Sequence, residues 1–481
     1  MNSYLGKKGY TLFKKDLSCE MMENIRSELY VRPYIPKSPQ QMSPFKIYKE
    51  TNDKFFLPRF YGIKTFGEPK KIILSECEKR NSGMRFEGGL RDYQEKIVDK
   101  FISTTSIMGG GLLEVDTGLG KTVIGINIAS RLRVKTLIIV HKDFLLNQWV
   151  ERIEQFMPDA KIGRIQGPVV DIEDKDIVIA MLQSLSMKHY DLSTFDSFGF
   201  TIIDEVHHLG AEVFSQALQK VVTKYVLGLS ATMERKDGLT KVFKMFMGDI
   251  VHTEKRDTSS AVVNIRVYNY ENSDEEFMEM KYDYRGNPLY STMIGKLVKC
   301  DDRSEYLLDI LESVYLEYPS LQVMVLSHTK SLLKYLYEGI KKRNIVNGDV
   351  GYYVGGMKAV DLKDSESRQL ILGTYAMASE GLDIKSLSGL VMATPKSDVI
   401  QTVGRILRTT DGDKVIVDVV DPHDIFKNQF TKRRVFYNKQ KYLIKRTNVK
   451  EFRECIKSGE DIKWEYMKGR KERTVFDDCL L

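Results

Sequence analysis

The sequence predicts an α/β protein with two parallel-sheet blocks in series. Between residues 86 and 252, short runs of continuous apolar residues alternate with helical patterns, and a second block of the same kind follows residue 300. Strands that are apolar throughout are typical of parallel sheets covered by helices on both faces. A length of 481 residues allows two to four domains at roughly 100–200 residues each. We therefore expect two tandem α/β domains with smaller flanking regions.

The first block contains five strand patterns separated by helical ones. Two helical stretches stand out, KTVIGINIASRL (121–132) and DFLLNQWVERIEQF (143–156). The predicted strands are GLLEV (111–115), TLIIV (136–140), DIVIA (176–180), FTIID (200–204) and YVLGLS (225–230).

The second block repeats the pattern, with strands QVMVLS (322–327), VGYYV (350–354), QLILGT (369–374), GLVMAT (389–394) and KVIVDVV (414–420). The predicted division is an accessory domain at 1–85, a first α/β domain at 86–255, a connection or insertion at 256–300, a second α/β domain at 301–440 and a basic extension at 441–481.

Charge is concentrated in the flanks. Residues 1–85 hold 17 Lys and Arg against 9 Asp and Glu, and residues 425–481 hold 16 against 8. Basic ends around an acidic middle favour a polyanionic partner, so the accessory domain is predicted to bind nucleic acid. Solvated surface charge is the alternative.

Other bulk features favour a reducing intracellular compartment. No run of 18 apolar residues predicts a membrane span, and the N-terminus lacks the apolar core of a secretion signal. The five cysteines are odd in number and show no CxxC spacing, which predicts reduced thiols.

The segment DTGLGKT (116–122) joins the first strand of block one to a helical pattern. Glycines at 118 and 120 permit a tight turn whose N–H groups, with those of Thr117 and Leu119, face a phosphate at the start of the helix. Lys121 supplies a cation for the β- and γ-phosphates, and Thr122 a hydroxyl for Mg²⁺.

Asp204 and Glu205 end the strand FTIID, at the edge where parallel sheets bind ligands. Asp204 is predicted to hold Mg²⁺, and Glu205 to orient and deprotonate an attacking water.

These motifs, together with LSAT (229–232), resemble motifs I, II and III of the superfamily 2 DExH-box helicases. Other elements follow in order between residues 86 and 422: LRDYQ (90–94), TLIIVHKDFLLNQW (136–149), IAMLQSL (179–185), VLSHTKSL (325–332), TYAMASEGLDI (374–384) and QTVGRILR (401–408). The resemblance implies two RecA-like domains that use ATP and Mg²⁺ to move along nucleic acid. It also implies that Arg91 and Gln94 contact adenine.

In this family the second domain completes the ATP site. Arg405 and Arg408 lie three residues apart on one face of a predicted helix. The resemblance implies that they stabilise the negative charge that develops on the γ-phosphate. Gln401 is expected beside the nucleotide or water, and Asp383 links the ribose and nucleic-acid sites. Expected nucleic-acid contacts are His141, Lys142, Gln183, Ser184, His328, Thr329, Thr374 and Ser379.

Finer features resemble the XPB/UvsW-like branch of DNA helicases and translocases, notably LSATMERKDGL (229–239), VGYYVGGMK (350–358) and VDVVDPHDIFKNQFTKRRVFYNKQ (417–440). LPRFYGIKTFG (57–67) is similar to a segment in helicases of large DNA viruses. Val115 and Met233 depart from the usual motifs without removing a catalytic group.

The leading hypothesis is an ATP-dependent DNA helicase or duplex translocase in transcription, repair or replication. It would act as a monomer on duplex or forked DNA, with transcription or repair proteins as partners and no membrane. Its location would be the nucleus or cytoplasm, or a viral factory or virion. An RNA helicase and an ATP-switched nucleic-acid-binding regulator without motor activity are the alternatives.

Overall fold

The computed structural model describes residues 2–34, 43–74, 79, 84–206, 210–233, 238–255, 263–347, 349–380, 384, 386–397 and 414–467. The chain divides into two compact units, Met1–Arg256 and Asp257–Leu481. Each unit contains a large, mostly parallel sheet, so the predicted fold class of two tandem α/β domains of the RecA-like kind is confirmed.

The described residues between 2 and 74, here called the N-terminal module, include a sheet of their own in the order β5-β6-β2-β1-β7. Only the β1–β7 pair is parallel. Helix α2 packs so closely on β2 that a side chain at Gly62 would overlap the ring of Tyr10. The elements are β1 Ser3–Gly6, β2 Gly9–Phe13, α1 Cys19–Glu28, β3 Tyr30–Val31, β4 Phe45–Lys46, β5 Lys49–Glu50, β6 Lys54–Leu57, α2 Arg59–Phe66 and β7 Lys71–Ile72.

The large sheet of the first unit has the order β11-β10-β12-β9-β13-β14-β8-β15. All neighbouring strands are parallel except β10 and β11. Its strands are β8 Gly110–Val115, β9 Thr136–Val140, β10 Ile162–Gln166, β11 Val169–Asp171, β12 Ile177–Met181, β13 Phe200–Ile203, β14 Tyr225–Ser230 and β15 Ile250–Glu254. Its helices are α3 Asp92–Met108, α4 Lys121–Leu132, α5 Asp143–Phe156, α6 Leu182–Met187, α7 Ala211–Leu218 and α8 Thr240–Met247.

Alternation along the strands builds two cores on this sheet. Ile138 and Val140 of β9 face a core that includes Trp149, whereas Leu137 and Ile139 face the opposite one. The second of these cores also contains the apolar residues of the N-terminal module. The module and the first α/β sheet therefore share one hydrophobic core and belong to one compact unit. The predicted accessory domain at 1–85 stays a prediction.

The sheet of the second unit has the order β18-β19-β17-β20-β21-β16-β22-β23. Only the β22–β23 pair is antiparallel. Its strands are β16 Val263–Asn269, β17 Val323–Ser327, β18 Val350–Tyr353, β19 Leu370–Thr374, β20 Gly389–Met392, β21 Lys414–Val420, β22 Leu443–Asn448 and β23 Glu465–Tyr466. Its helices are α9 Glu275–Met278, α10 Tyr290–Lys299, α11 Asp301–Glu317, α12 Lys330–Arg343, α13 Ala359–Glu366, α14 Tyr375–Glu380, α15 Asp424–Lys439 and α16 Val449–Ser458.

Three strands of this sheet lie where no strand was expected. β16 falls in the predicted connection 256–300, and β22 and β23 fall in the predicted extension 441–481. β16 pairs with both β21 and β22, and β22 pairs with β23. Arg266 in β16 is fully buried, because its guanidinium pairs with Glu317 and lies over the rings of Tyr318 and Trp464. The local sequence does not predict the burial of this arginine.

Among the described residues, no helix combines the length and the apolar character needed to cross a bilayer.

Candidate functional site

The phosphate loop lies between β8 and α4, as the motif predicts. Gly118 and Gly120 have φ values of 86° and 82°, in the left-handed region that favours glycine. Gly120 caps α4, so Lys121 and Thr122 are the first two helical residues and their N–H groups lie at the helix N-terminus. Val115, the departure from the strict motif, is a fully buried residue of β8 and does not disturb the loop.

Gln94 holds this loop in place from the neighbouring helix α3. Its Nε2 donates to the carbonyl of Leu119 at 3.0 Å, and the hydroxyl of Tyr93 donates to the same carbonyl at 3.0 Å. The Oε1 of Gln94 accepts from the N–H of Arg91 at 3.0 Å. A side chain at Gly120 would overlap the Gln94 amide. Gln94 and Arg91 therefore lie beside the loop, and the amide of Gln94 already shapes it.

The acidic pair directly follows β13, two strands from β8 in the sheet. Glu205 has φ +49°, a left-handed conformation that is uncommon for glutamate. Its Oε1 lies 3.5 Å from Nζ of Lys121, and both side chains are largely buried. The structure thus brings together the predicted phosphate-binding lysine and the predicted base.

Asp204 is held by two neutral donors. The indole N–H of Trp149 donates to Oδ2 at 2.9 Å, and the N–H of Glu205 donates to Oδ1 at 2.9 Å. Burial and the negative charge of Glu205 raise the pKa of Asp204 to about 6, against the opposing effects of Lys121 and Trp149. A nearby cation would stabilise the ionised form of this carboxylate.

No sequence motif marks Trp149 as part of the site. Its side chain is fully buried and contacts α4 closely, because a side chain at Gly125 would lie 3.0 Å from the indole. The available signal was its place in DFLLNQWVERIEQF, where the apolar stripe of α5 faces the sheet and one member carries an N–H group.

The pair Thr122 and Asp204 fits Mg²⁺ chemically. A half-buried hydroxyl and a buried carboxylate are hard oxygen donors, and Mg²⁺ is usually bound through one or two protein carboxylates together with phosphate oxygens and water. Burial raises the pKa of Asp204, because the neutral donors around this carboxylate do not fully replace the water that it loses.

Four predicted residues of the second block, Asp383, Gln401, Arg405 and Arg408, lie outside the described residues. Their roles at the nucleotide stay predictions.

The predicted nucleic-acid contacts of the first unit meet near the carboxyl edge of its sheet. His141 and Lys142 follow β9, and Nε2 of Gln183 donates to the carbonyl of His141 at 2.9 Å. The hydroxyl of Ser184 accepts from the N–H of Gly167 at 3.0 Å. Burial lowers the pKa of Lys142. Gln183 and Ser184 therefore stabilise the loops that carry this edge, and their contact with nucleic acid stays a prediction.

His328 and Thr329 occupy the corresponding edge of the second sheet, after β17. The His328 Nδ1 lies 2.8 Å from the hydroxyl of Thr394, and its ring lies 4.7 Å from that of Tyr375, between centroids. Burial and the charge of Lys396 lower the pKa of His328 to about 4, so the imidazole is neutral at pH 7. Thr329 caps α12 through its hydroxyl, which accepts from the N–H of Leu332 at 3.4 Å.

Thr374 ends β19, and Ser379 lies in α14, where its side chain is outside the described set. The second unit also contains a buried ion pair that no sequence motif marks. Arg433 donates to both oxygens of Asp418, at 2.8 and 2.7 Å, and Nη1 of Arg433 donates to the carbonyl of Lys396 at 2.6 Å. This pair ties α15 to β21 and to the chain that follows β20.

Comparison with known proteins agrees with this site. The family model described as type III restriction enzyme, res subunit, matches residues 87–235, which include the phosphate loop and the acidic pair. A candidate ATP-dependent RNA helicase of Acanthamoeba polyphaga mimivirus is 36% identical over 453 residues, covering 92% of this chain and 86% of the relative.

More distant relatives come from other viruses. A candidate ATP-dependent RNA helicase of African swine fever virus is 24% identical over 401 residues, 78% of each chain. A candidate helicase of Invertebrate iridescent virus 6 is 26% identical over 382 residues, 75% of this chain and 83% of the relative. The crystal structure of T4 UvsW is 17% identical with a TM-score of 0.38, covering 93% of this chain and 100% of that one.

The extent of the mimivirus match and the helicase motifs inside the family model lead to one assignment. The chain belongs to the superfamily 2 helicases, together with relatives from large DNA viruses, and is an ATP-hydrolysing helicase that acts on nucleic acid.

Proposed function

We propose that the chain is a DNA-directed motor that couples hydrolysis of ATP·Mg²⁺ in its first unit to movement along duplex or forked DNA. The observation that supports the hydrolytic site is the placement of Lys121, Asp204 and Glu205 at one edge of one sheet, with Lys121 Nζ 3.5 Å from Glu205 Oε1.

Each of these residues has a separate task in the proposal. Lys121 and the N–H groups at the start of α4 bind the phosphates. Glu205 orients the attacking water and accepts its proton. Asp204 and Thr122 would hold Mg²⁺, which supplies charge neutralisation at the phosphates when bound. Arg405 and Arg408 are proposed to act on the charge of the γ-phosphate, as the motif implies.

DNA is the proposed track because the segments after motif III and at the end of the second block resemble those of DNA translocases. RNA is the second candidate, and a specific observation favours it: relatives from mimivirus and African swine fever virus carry names of candidate RNA helicases. The DNA and RNA hypotheses predict that different nucleic acids stimulate ATP turnover at the same site.

Steady-state ATP turnover of the full chain tests this proposal. We expect duplex or forked DNA to stimulate turnover more than single-stranded DNA or RNA does. Stimulation by RNA alone would replace DNA with RNA as the track, and turnover that no nucleic acid changes would favour the ATP-switched regulator. A strand-displacement assay on forked DNA then separates strand separation from translocation without it.

We further propose that the motor is monomeric and serves transcription, repair or replication in an intracellular, reducing compartment. Sedimentation of the full chain with and without forked DNA measures the oligomeric state. Capture of tagged protein from cells that make it tests for transcription or repair partners.

A further inference from the structure

One face of the N-terminal sheet combines aromatic rings with lysines. The register aligns a row across all five strands, from Lys49 through Phe56, Thr11 and Tyr4 to Lys71. Successive residues of a strand point to opposite faces, so this row marks one face of the sheet. The same face carries Phe13 and Lys54, which pair with each other across β2 and β6.

The two faces of this sheet differ in their role. Residues of the inner face, such as Tyr10, Leu12 and Phe55, belong to the core shared with the first α/β sheet. The rings of the outer face, Tyr4 and Phe13 among them, are only half-buried and lie outside that core. The outer rings therefore do not hold the module together in the way the inner ones do.

Lysines surround these outer rings. Lys54 Nζ lies 4.9 Å from the ring centre of Phe13 and 5.5 Å from that of Tyr4, and Lys8 Nζ lies 5.1 Å from that of Phe56. Within the described part of the chain, no carboxylate forms an ion pair with Lys8, Lys49 or Lys54. The strand residues of this face include no Asp or Glu. We define Tyr4, Phe13, Phe56, Lys8, Lys49 and Lys54 as the outer basic face.

Ammonium groups without carboxylate partners favour a polyanion, and aromatic rings among them provide surfaces for bases. This combination is typical of proteins that bind single strands, because unpaired bases can stack on rings while lysines follow the backbone. Paired bases in a duplex are already stacked on each other and gain little from the rings. Five strands at about 4.8 Å spacing span about 19 Å, roughly five or six stacked nucleotides.

We propose that the outer basic face binds a single-stranded segment of the nucleic acid on which the motor acts. This inference rests on the proposed function for its biological purpose. The binding itself requires neither ATP nor a working motor.

Direct binding of labelled (dT)12 to the full chain without nucleotide tests the proposal. The double variant Lys8→Ala with Lys49→Ala removes two exposed charges and leaves the inner core intact. Each lost phosphate contact reduces the slope of log affinity against log salt by about 0.7 for single strands. We therefore expect a slope smaller by about 1.4 and an unchanged basal ATP turnover.

A matched control removes two exposed lysines elsewhere in the same unit, Lys64 in α2 and Lys100 in α3. It should leave the salt slope as in the wild type. Equal slopes for both double variants would overturn the proposal, as would a loss confined to duplex DNA.

Photocrosslinking of the unmodified chain to a bromodeoxyuridine oligonucleotide avoids any folding defect of the variants. We expect crosslinked peptides that contain Tyr4, Phe13 or Phe56, and crosslinks found only beyond residue 84 would overturn the proposal. Phe56→Leu should weaken oligonucleotide binding by roughly tenfold, since a stacked base is lost. If oligonucleotides bind this face while no form of DNA or RNA stimulates ATP turnover, the proposed motor fails and this inference stands.

Discussion

The carboxyl edges of the two large sheets share an architecture and differ in how they treat buried charge. In the first unit, the carboxylate of Asp204 is bonded to an indole N–H and a backbone N–H, and its pKa is raised to about 6. In the second unit, the carboxylate of Asp418 accepts two hydrogen bonds from the guanidinium of Arg433, one at each oxygen. The buried carboxylate of the first unit is hydrogen-bonded to neutral donors, whereas that of the second unit forms an ion pair with an arginine of the same unit.

The difference suggests separate uses for buried carboxylates near this edge of the two sheets. A buried charge without a full counter-ion costs folding free energy but remains able to bind a cation or polarise a ligand. A buried pair that is hydrogen-bonded on both sides fixes elements relative to each other. Substitutions at the first edge should therefore affect chemistry, and those at the second should affect stability.

Glu205→Gln should give the largest effect. The amide cannot accept a proton from water, so we expect hydrolysis in a single-turnover assay to fall about 10²–10⁴-fold. Nucleotide binding and the urea midpoint should stay near wild type, because Gln keeps the shape and removes the repulsion with Asp204. Glu212→Gln, on the exposed side of α7, is the matched control. Hydrolysis that survived would remove Glu205 as the base.

Arg433→Ala should reduce the free energy of unfolding, whereas Glu205→Gln should leave it nearly unchanged. It leaves the carboxylate of Asp418 buried without its partner, and losses of about 3–5 kcal/mol are typical of such changes. Urea unfolding followed by circular dichroism measures it. Arg434→Ala, next on the same helix but less buried, should cost far less. Similar losses in the two variants would mean that the ion pair does not stabilise this edge.

Trp149→Phe tests the donor to Asp204 and should give a smaller effect. Phenylalanine fills most of the space but cannot donate, so the carboxylate loses orientation and the half-saturating Mg²⁺ concentration for ATP turnover should rise about 10–100-fold. Trp464→Phe is the control, since these are the chain's two tryptophans. In that control, the emission of Trp149 should change on addition of Mg²⁺ and ADP. An unchanged Mg²⁺ requirement in Trp149→Phe would limit this residue to packing.

Gln183→Ala should give the smallest effect. It removes one hydrogen bond to the carbonyl of His141, at an exposed position, so we expect a loss of about 0.5–1.5 kcal/mol in the free energy of unfolding. Gln183→Glu, which keeps the length but cannot donate, should behave alike. If nucleic-acid affinity fell much more than stability, Gln183 would contact the track as the motif predicts.

Much of the fold could be predicted because its strands are apolar throughout. The strands at 136–140, 225–230 and 414–420 have the predicted bounds, and the other predicted strands differ by one or two residues, whereas β10, β11 and β15 of the first sheet were not predicted. The strands β16 and β22 could not be recognised from the sequence, because they carry polar residues at buried positions. Arg266 is buried through contacts with Glu317, Tyr318 and Trp464, which are distant in sequence, and no local pattern reveals such pairing.

The site shows the same limit. The motif order located Lys121, Asp204 and Glu205, because short segments carry those residues. Trp149 and the loop-holding contact of Gln94 depend on which helices lie beside the loop, and only the folded chain determines that. The shared core of the N-terminal module was hidden for the same reason, since it arises from packing between distant segments.

The backbone at Glu205 has a consequence for selection on this chain. A non-glycine residue in the left-handed region costs of order 1–3 kcal/mol, and glycine or asparagine at position 205 would relieve much of that. A more stable version of the protein is thus one substitution away, and it would lack the carboxylate proposed as the base. Under our proposal, directed evolution for thermal stability alone would drift toward inactive enzymes at this position, and selection for turnover would restore the glutamate.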